Sequence, residues 1–150
     1  MKNIMFVVLF MCIGGILYAQ QNTIHILGSN QSTISQHEKN LIEQFINNSQ
    51  NIDNITSTNV ESIKILNYDS LISQKIIENS TSIDTIKALV FKRIKENTII
   101  PSLDLSTFTQ LSYIILEANS ELNQDQIHAI LSNVTIPSDV KIVLKHIYVN

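Results

Sequence analysis

"SIDTIKALVFKRIKEN", residues 82–97, is the stretch whose reading decides the fold. Wound as a helix, it places Ile83, Ile86, Val90 and Ile94 on one face, the stripe of a helix with one buried side. Thr81 or Ser82 can cap its start. Asn97 can close it, because asparagine tolerates the left-handed conformation needed just past a helix end. An aliphatic run that stops at asparagine also precedes this stretch, at Ile76–Asn79, and returns at Ile115–Asn119, Ile130–Asn133 and Ile147–Asn150. These endings are unevenly spaced, by roughly 14 to 22 residues, whereas helical solenoids keep a fixed period. The reading is therefore shared capping grammar in an irregular bundle, with a short helical array as the alternative.

Working towards the C-terminus, Asp104 can cap a helix carrying Leu105, Phe108, Leu111, Ile114, Ile115 and Leu116. Apolar side chains then cover most of its circumference, which predicts a central helix over 105–118. Asn123 with Gln126 forms a capping box before Ile127, Ile130, Leu131 and Val134. Pro137 and Ser138 then open a stripe of Val140, Val143, Leu144 and Ile147, so an αα-hairpin is expected here.

Working towards the N-terminus, Asp69 starts a helix at 70–78, and Ser35 with Glu38 starts another at about 35–47 with Leu41, Ile42, Phe45 and Ile46 inward. Between them lies a polar connection at about 47–60. The fold class read from this pattern is all-α, an irregular bundle of five to six short amphipathic helices in a single domain over 35–150. The alternative is α+β: "TIHIL" at 23–27 and "SIKIL" at 62–66 alternate isoleucine with polar residues and could form a small strand pair, residues 20–34 being otherwise flexible.

Residues 1–19 read as a secretory leader: Lys2, an apolar run from Ile4 to Leu17, then a small-residue exit with cleavage after Ala19. The run is shorter than the roughly 20 residues that span a bilayer, so an uncleaved membrane tether is the alternative. Cys12, the only cysteine, leaves with the leader, so the mature chain has no disulfide. Secretion or periplasmic residence is expected. Asn30, Asn47, Asn54, Asn79 and Asn133 begin Asn-x-Ser/Thr triplets, which matter only in a host that glycosylates.

The full chain carries 10 basic and 13 acidic residues for a net charge of −3, which becomes −4 once Lys2 is removed. Such a balance argues against nucleic acid as a partner. His25, His37, His128 and His146 show no metal-ligand spacing. The nearest approach to a site, Glu121, Asp125 and His128, is broken by the cap at Asn123. Gly28 is the sole glycine beyond the leader, so no phosphate-cradling loop can form. Lys87, Lys92, Arg93 and Lys95 point in different directions if 82–97 is helical. No catalytic, cofactor-binding or metal residue is singled out, and no cofactor. The function expected is a non-catalytic protein-interaction module with an unknown protein partner. A carrier of an apolar small molecule or acyl chain comes second, and an uncommon hydrolase third.

Overall fold

The computed structural model describes residues 22–28, 33–55, 59–68, 71–78 and 80–147. The leader at 1–19, Asn30 and Asn79 lie outside them. In chain order the elements are β1 (Ile24–Ile26), α1 (Gln36–Asn48), β2 (Gln50–Asn51), β3 (Ser62–Ile65), α2 (Ile72–Glu78), β4 (Ala88–Ile94), β5 (Leu103–Asp104), β6 (Tyr113–Ala118), α3 (Gln124–Ile130), β7 (Val134–Thr135) and β8 (Lys141–His146). Short 3-10 helices occupy Ile52–Asn54 and Ser80–Thr85.

This architecture corrects the all-α reading. Six strands form one parallel sheet in the order β1-β8-β6-β4-β3-β2, and β5 pairs with β7 in a small second sheet. The class is α/β. Three of the expected helices are strands instead: 82–97 becomes a 3-10 turn and β4, 105–118 becomes a loop and β6, and the second arm of the αα-hairpin becomes β8. The physical reason is burial on both faces. A parallel strand covered on two sides reads as a continuous apolar run with no period-2 alternation, and all six residues of β6 are buried. Helices α1, α2 and α3 fall at the expected spans 35–47, 70–78 and 123–134, the last ending early at Ile130, while Asp69, the expected cap of the second, lies outside the described residues. Both alternating phrases are strands, β1 and β3, yet they do not pair, since β8, β6 and β4 lie between them.

From β3 onward the sheet winds sequentially. Ser62, Ala88, Tyr113 and Lys141 stand in one register row, at intervals of 26, 25 and 28 residues. The strands from β3 to β8 thus recur at a similar spacing, each unit being a strand plus its connection. The β4–β6 and β6–β8 connections also touch each other, through β5 and β7: the Leu103 amide donates to the Asn133 carbonyl at 3.1 Å and the Leu105 amide to the Thr135 carbonyl at 3.0 Å.

The direction of winding decides which face each connection covers. Parallel crossovers are almost always right-handed, so those advancing from β3 to β8 share one face, while the crossover from β1 back to β2 must lie on the other. Two cores result. On the first face Ile63, Leu89, Phe91, Ile114, Leu116 and Leu144 pack against α2, α3 and the connections. On the second, Ala88, Val90, Tyr113, Ile115 and Val143 pack beneath α1, through its Ile42, Phe45 and Ile46.

Local chemistry starts and stops the helices as the sequence demands. The Ser35 hydroxyl accepts the Glu38 amide at 3.2 Å to open α1, and the Ser49 hydroxyl donates to the Ile46 carbonyl at 2.9 Å at its end. The reciprocal Asn123–Gln126 bonds that open α3 are both 2.9 Å. Asn22 ties the start of β1 to the approach of β8, its side-chain amide donating to the Pro137 and Val140 carbonyls at 2.8 Å each.

Candidate functional site

Open parallel sheets ordinarily bind ligands beyond the carboxyl ends of their strands, at the point where the winding reverses. Here the reversal spans the whole sheet, from β1 at one edge to β2 at the other, so the sequentially wound centre from β3 to β8 holds no switch-point crevice. Its carboxyl end is closed by charge pairs instead. A bulge sets Lys92 and Arg93 of β4 opposite Glu117 of β6, with Arg93 at φ 62°. Glu117 is only 2% exposed and forms an ion pair with Lys92, while Lys145, its register partner on β8, pairs with Glu43 of α1 at 2.7 Å. The Tyr68 hydroxyl donates to the Lys92 carbonyl, and burial pushes that phenol well above its ordinary range.

At the amino ends of the same strands, Glu38 accepts from Lys141 at 2.6 Å and from the Tyr113 hydroxyl at 2.9 Å. The lysine, more than the phenol, holds the Glu38 carboxyl below its usual value. Burial first, and Glu38 second, raise Tyr113 to about 12. Both charge groups pin α1 to the sheet.

Among the described residues, two concavities stand out. The more apolar, of about 350 Å³, lies between α2, the Ser80–Thr85 turn and β5. Ile76, Ile83, Leu103 and Phe108 form its walls, and Ser102, Asp104 and Thr107 give it a polar lip. The Asp104 carboxylate is held below its usual range by Ser106, whose amide donates to it at 2.9 Å. The second, of about 250 Å³, lies where the end of α1 meets β2 and the approach to β3, and its lining is mostly polar.

Neither concavity was visible as a residue set in the sequence, because each joins segments brought together only by sheet order. Leu41, Gln44, Phe45 and Asn48 do share helical spacing, which is the one local signal for the second. Among the described residues, no group of three His, Cys, Asp or Glu side chains is placed to hold a metal. His128 sits half-buried on α3, whereas Glu121 precedes that helix and its cap. His25 shares a hydrogen bond with Thr33 at 3.1 Å, and His37 is exposed. Lys87 pairs with Glu61 at 2.5 Å and Lys92 with Glu117, while Arg93 occupies the bulge and Lys95 lies beyond β4, so these basic residues form no common patch. Asn47, Asn54 and Asn133 are exposed. No helix among the described residues is long and apolar enough to cross a membrane.

Fold and concavities together define an α/β protein with a sequentially wound parallel sheet and, among the described residues, two clefts beside it. Compared with protein-family models, curated proteins and solved structures, the chain finds no match.

Proposed function

We propose that this is an exported, non-catalytic binding protein that works by contact, taking an apolar anchor of a protein partner into the cleft between α2 and β5. The observation that carries this reading is the cleft itself: four apolar walls and three polar groups at the lip, in a volume of about 350 Å³. That is the usual make-up of a pocket for a small ligand or a buried anchor side chain. Among the described residues the rest of the surface offers little apolar area, Leu71 and Ile99 being the exposed large apolar side chains. A flat greasy interface is therefore poorly supplied. The carboxylate of Asp104 at the lip favours a neutral or cationic flank beside the anchor.

The same dimensions favour a second reading, a carrier of a small apolar molecule. Thr107, exposed at the lip, separates both from a protein that uses another surface. Thr107→Trp should plug the cleft without disturbing the core. A partner captured by the wild-type protein from the native extracellular fraction and lost with Thr107→Trp supports the contact role. A bound apolar mass in native mass spectrometry, lost with the same variant, supports the carrier. Capture unaffected by the plug removes the cleft from the function.

A further inference from the structure

The cleft at the end of α1 has a chemistry of its own, independent of the apolar cleft. Leu41, Gln44, Phe45 and Asn48 recur at i, i+3, i+4 and i+7, so one flank of the last two turns of α1 faces it. Opposite stand Gln50 of β2 and the Asn59–Ser62 approach to β3. Four carboxamide residues thus line about 250 Å³; Gln44 and Asn48 are exposed, while Gln50 and Asn59 already hold other partners. The carboxamides of Gln44 and Asn48 each carry a donor and an acceptor side by side, which matches a vicinal pair of hydroxyls, where each oxygen both donates and accepts. The one charged group at the rim, Glu61, is already neutralised by Lys87 at 2.5 Å. Leu41 is half-buried, and with Phe45 and Val60 it supplies an apolar floor.

From this combination, neutral amides over a small apolar floor with no uncompensated charge, we infer a binding site for a neutral polyhydroxylated ligand, a single sugar ring or the terminal ring of a glycan. The amides meet the hydroxyls, and the floor meets the C–H face of the ring. A charged sugar or nucleotide is disfavoured, because no cationic side chain is among the described residues that line the cleft. Strand addition by a peptide is disfavoured as well, since β2 offers an edge of only two residues.

The test is saturation-transfer NMR on the mature chain with methyl glucoside, methyl mannoside, methyl galactoside and N-acetylglucosamine at millimolar concentration, and trialanine as the peptide probe. The protein should come from a non-glycosylating host, because Asn47 begins an Asn-x-Ser triplet beside the cleft. At least one sugar should receive saturation. Gln44 and Asn48 are both exposed, so Gln44→Ala combined with Asn48→Ala should keep the wild-type circular dichroism spectrum. The double variant should bind that sugar at least about tenfold more weakly, as expected when two side chains each lose a hydrogen-bonded pair. Thr107→Trp should bind it normally, which separates this site from the apolar cleft. No transfer to any sugar, sugar binding unchanged in the double variant, or binding of trialanine in place of the sugars would each overturn the inference.

Discussion

The ion pair between Lys92 and Glu117 offers the sharpest test of how the sheet is assembled. The two residues are neighbours only if β4 lies beside β6 in the observed register with its bulge. Glu117 is 2% exposed and the Lys92 side chain 23%, so the partners stand to lose unequally. Lys92→Met strands a buried carboxylate. Removing one partner of a buried pair costs about 3–5 kcal/mol, and the partial exposure of Lys92 with Lys145 close by lowers the expectation to about 2–3 kcal/mol. Glu117→Met leaves a lysine that can extend to water, at about 1 kcal/mol. Replacing both charges by methionine should fall within about 1 kcal/mol of the wild type, because well-packed apolar residues often substitute for a buried pair without loss. The prediction is therefore a double variant more stable than Lys92→Met alone. Urea unfolding followed by circular dichroism reads it directly: with a slope of about 2 kcal/mol per molar, the Lys92→Met midpoint should drop by about 1 M and most of that loss should return in the double variant. Additive losses would show that the two side chains do not meet.

Two further outcomes probe the backbone and the α1 anchor. Arg93 is exposed and holds φ 62°, a conformation glycine adopts freely, so Arg93→Gly should stabilise the chain by about 1 kcal/mol and raise its thermal midpoint by a few degrees; a lower midpoint would refute the strain. Tyr113, raised to about 12, contributes stability that is complete below the ordinary phenol value of about 10 and is lost as pH rises towards 12, whereas Glu38, held low, contributes stability lost as pH falls through its folded value. In an alkaline ultraviolet titration Tyr113→Phe should delete a late-ionising tyrosine, and an unchanged late phase would refute the assignment.

The same bulge explains why β4 was illegible. Phe91 and Ile94 both enter the core beneath α2 and α3, although an unbroken strand would send residues three apart to opposite faces. The extra residue, Arg93, restores Ile94 to that core. In the sequence this leaves apolar residues at 83, 86, 90 and 94, the spacing of a helical stripe, in a segment whose strand residues are buried on two sides. Where one face of an element meets water, periodicity spoke correctly: α1 buries Ile42, Phe45 and Ile46, and α3 buries Ile127 and Ile130 behind its capping box. The strand alternation of β1 and β3 was also readable, but pairing was not, because strand order is set by crossovers that no local pattern records.

The row of Ser62, Ala88, Tyr113 and Lys141 carries that lesson to the candidate sites. Its members share a register and almost nothing else in side-chain chemistry, since each answers a different neighbour: Ser62 donates to the Phe45 carbonyl at 2.9 Å, Ala88 lies flat beneath α1, and Tyr113 and Lys141 both reach Glu38. A repeat defined by backbone spacing with unconstrained side chains leaves no consensus to find. The two clefts lie where this repeat is interrupted, one beside the two-residue strand β2 and the other where the β3–β4 and β4–β6 connections diverge around β5. A sheet wound in one direction buries its regular centre on both faces, and both clefts open where a unit is shortened or displaced.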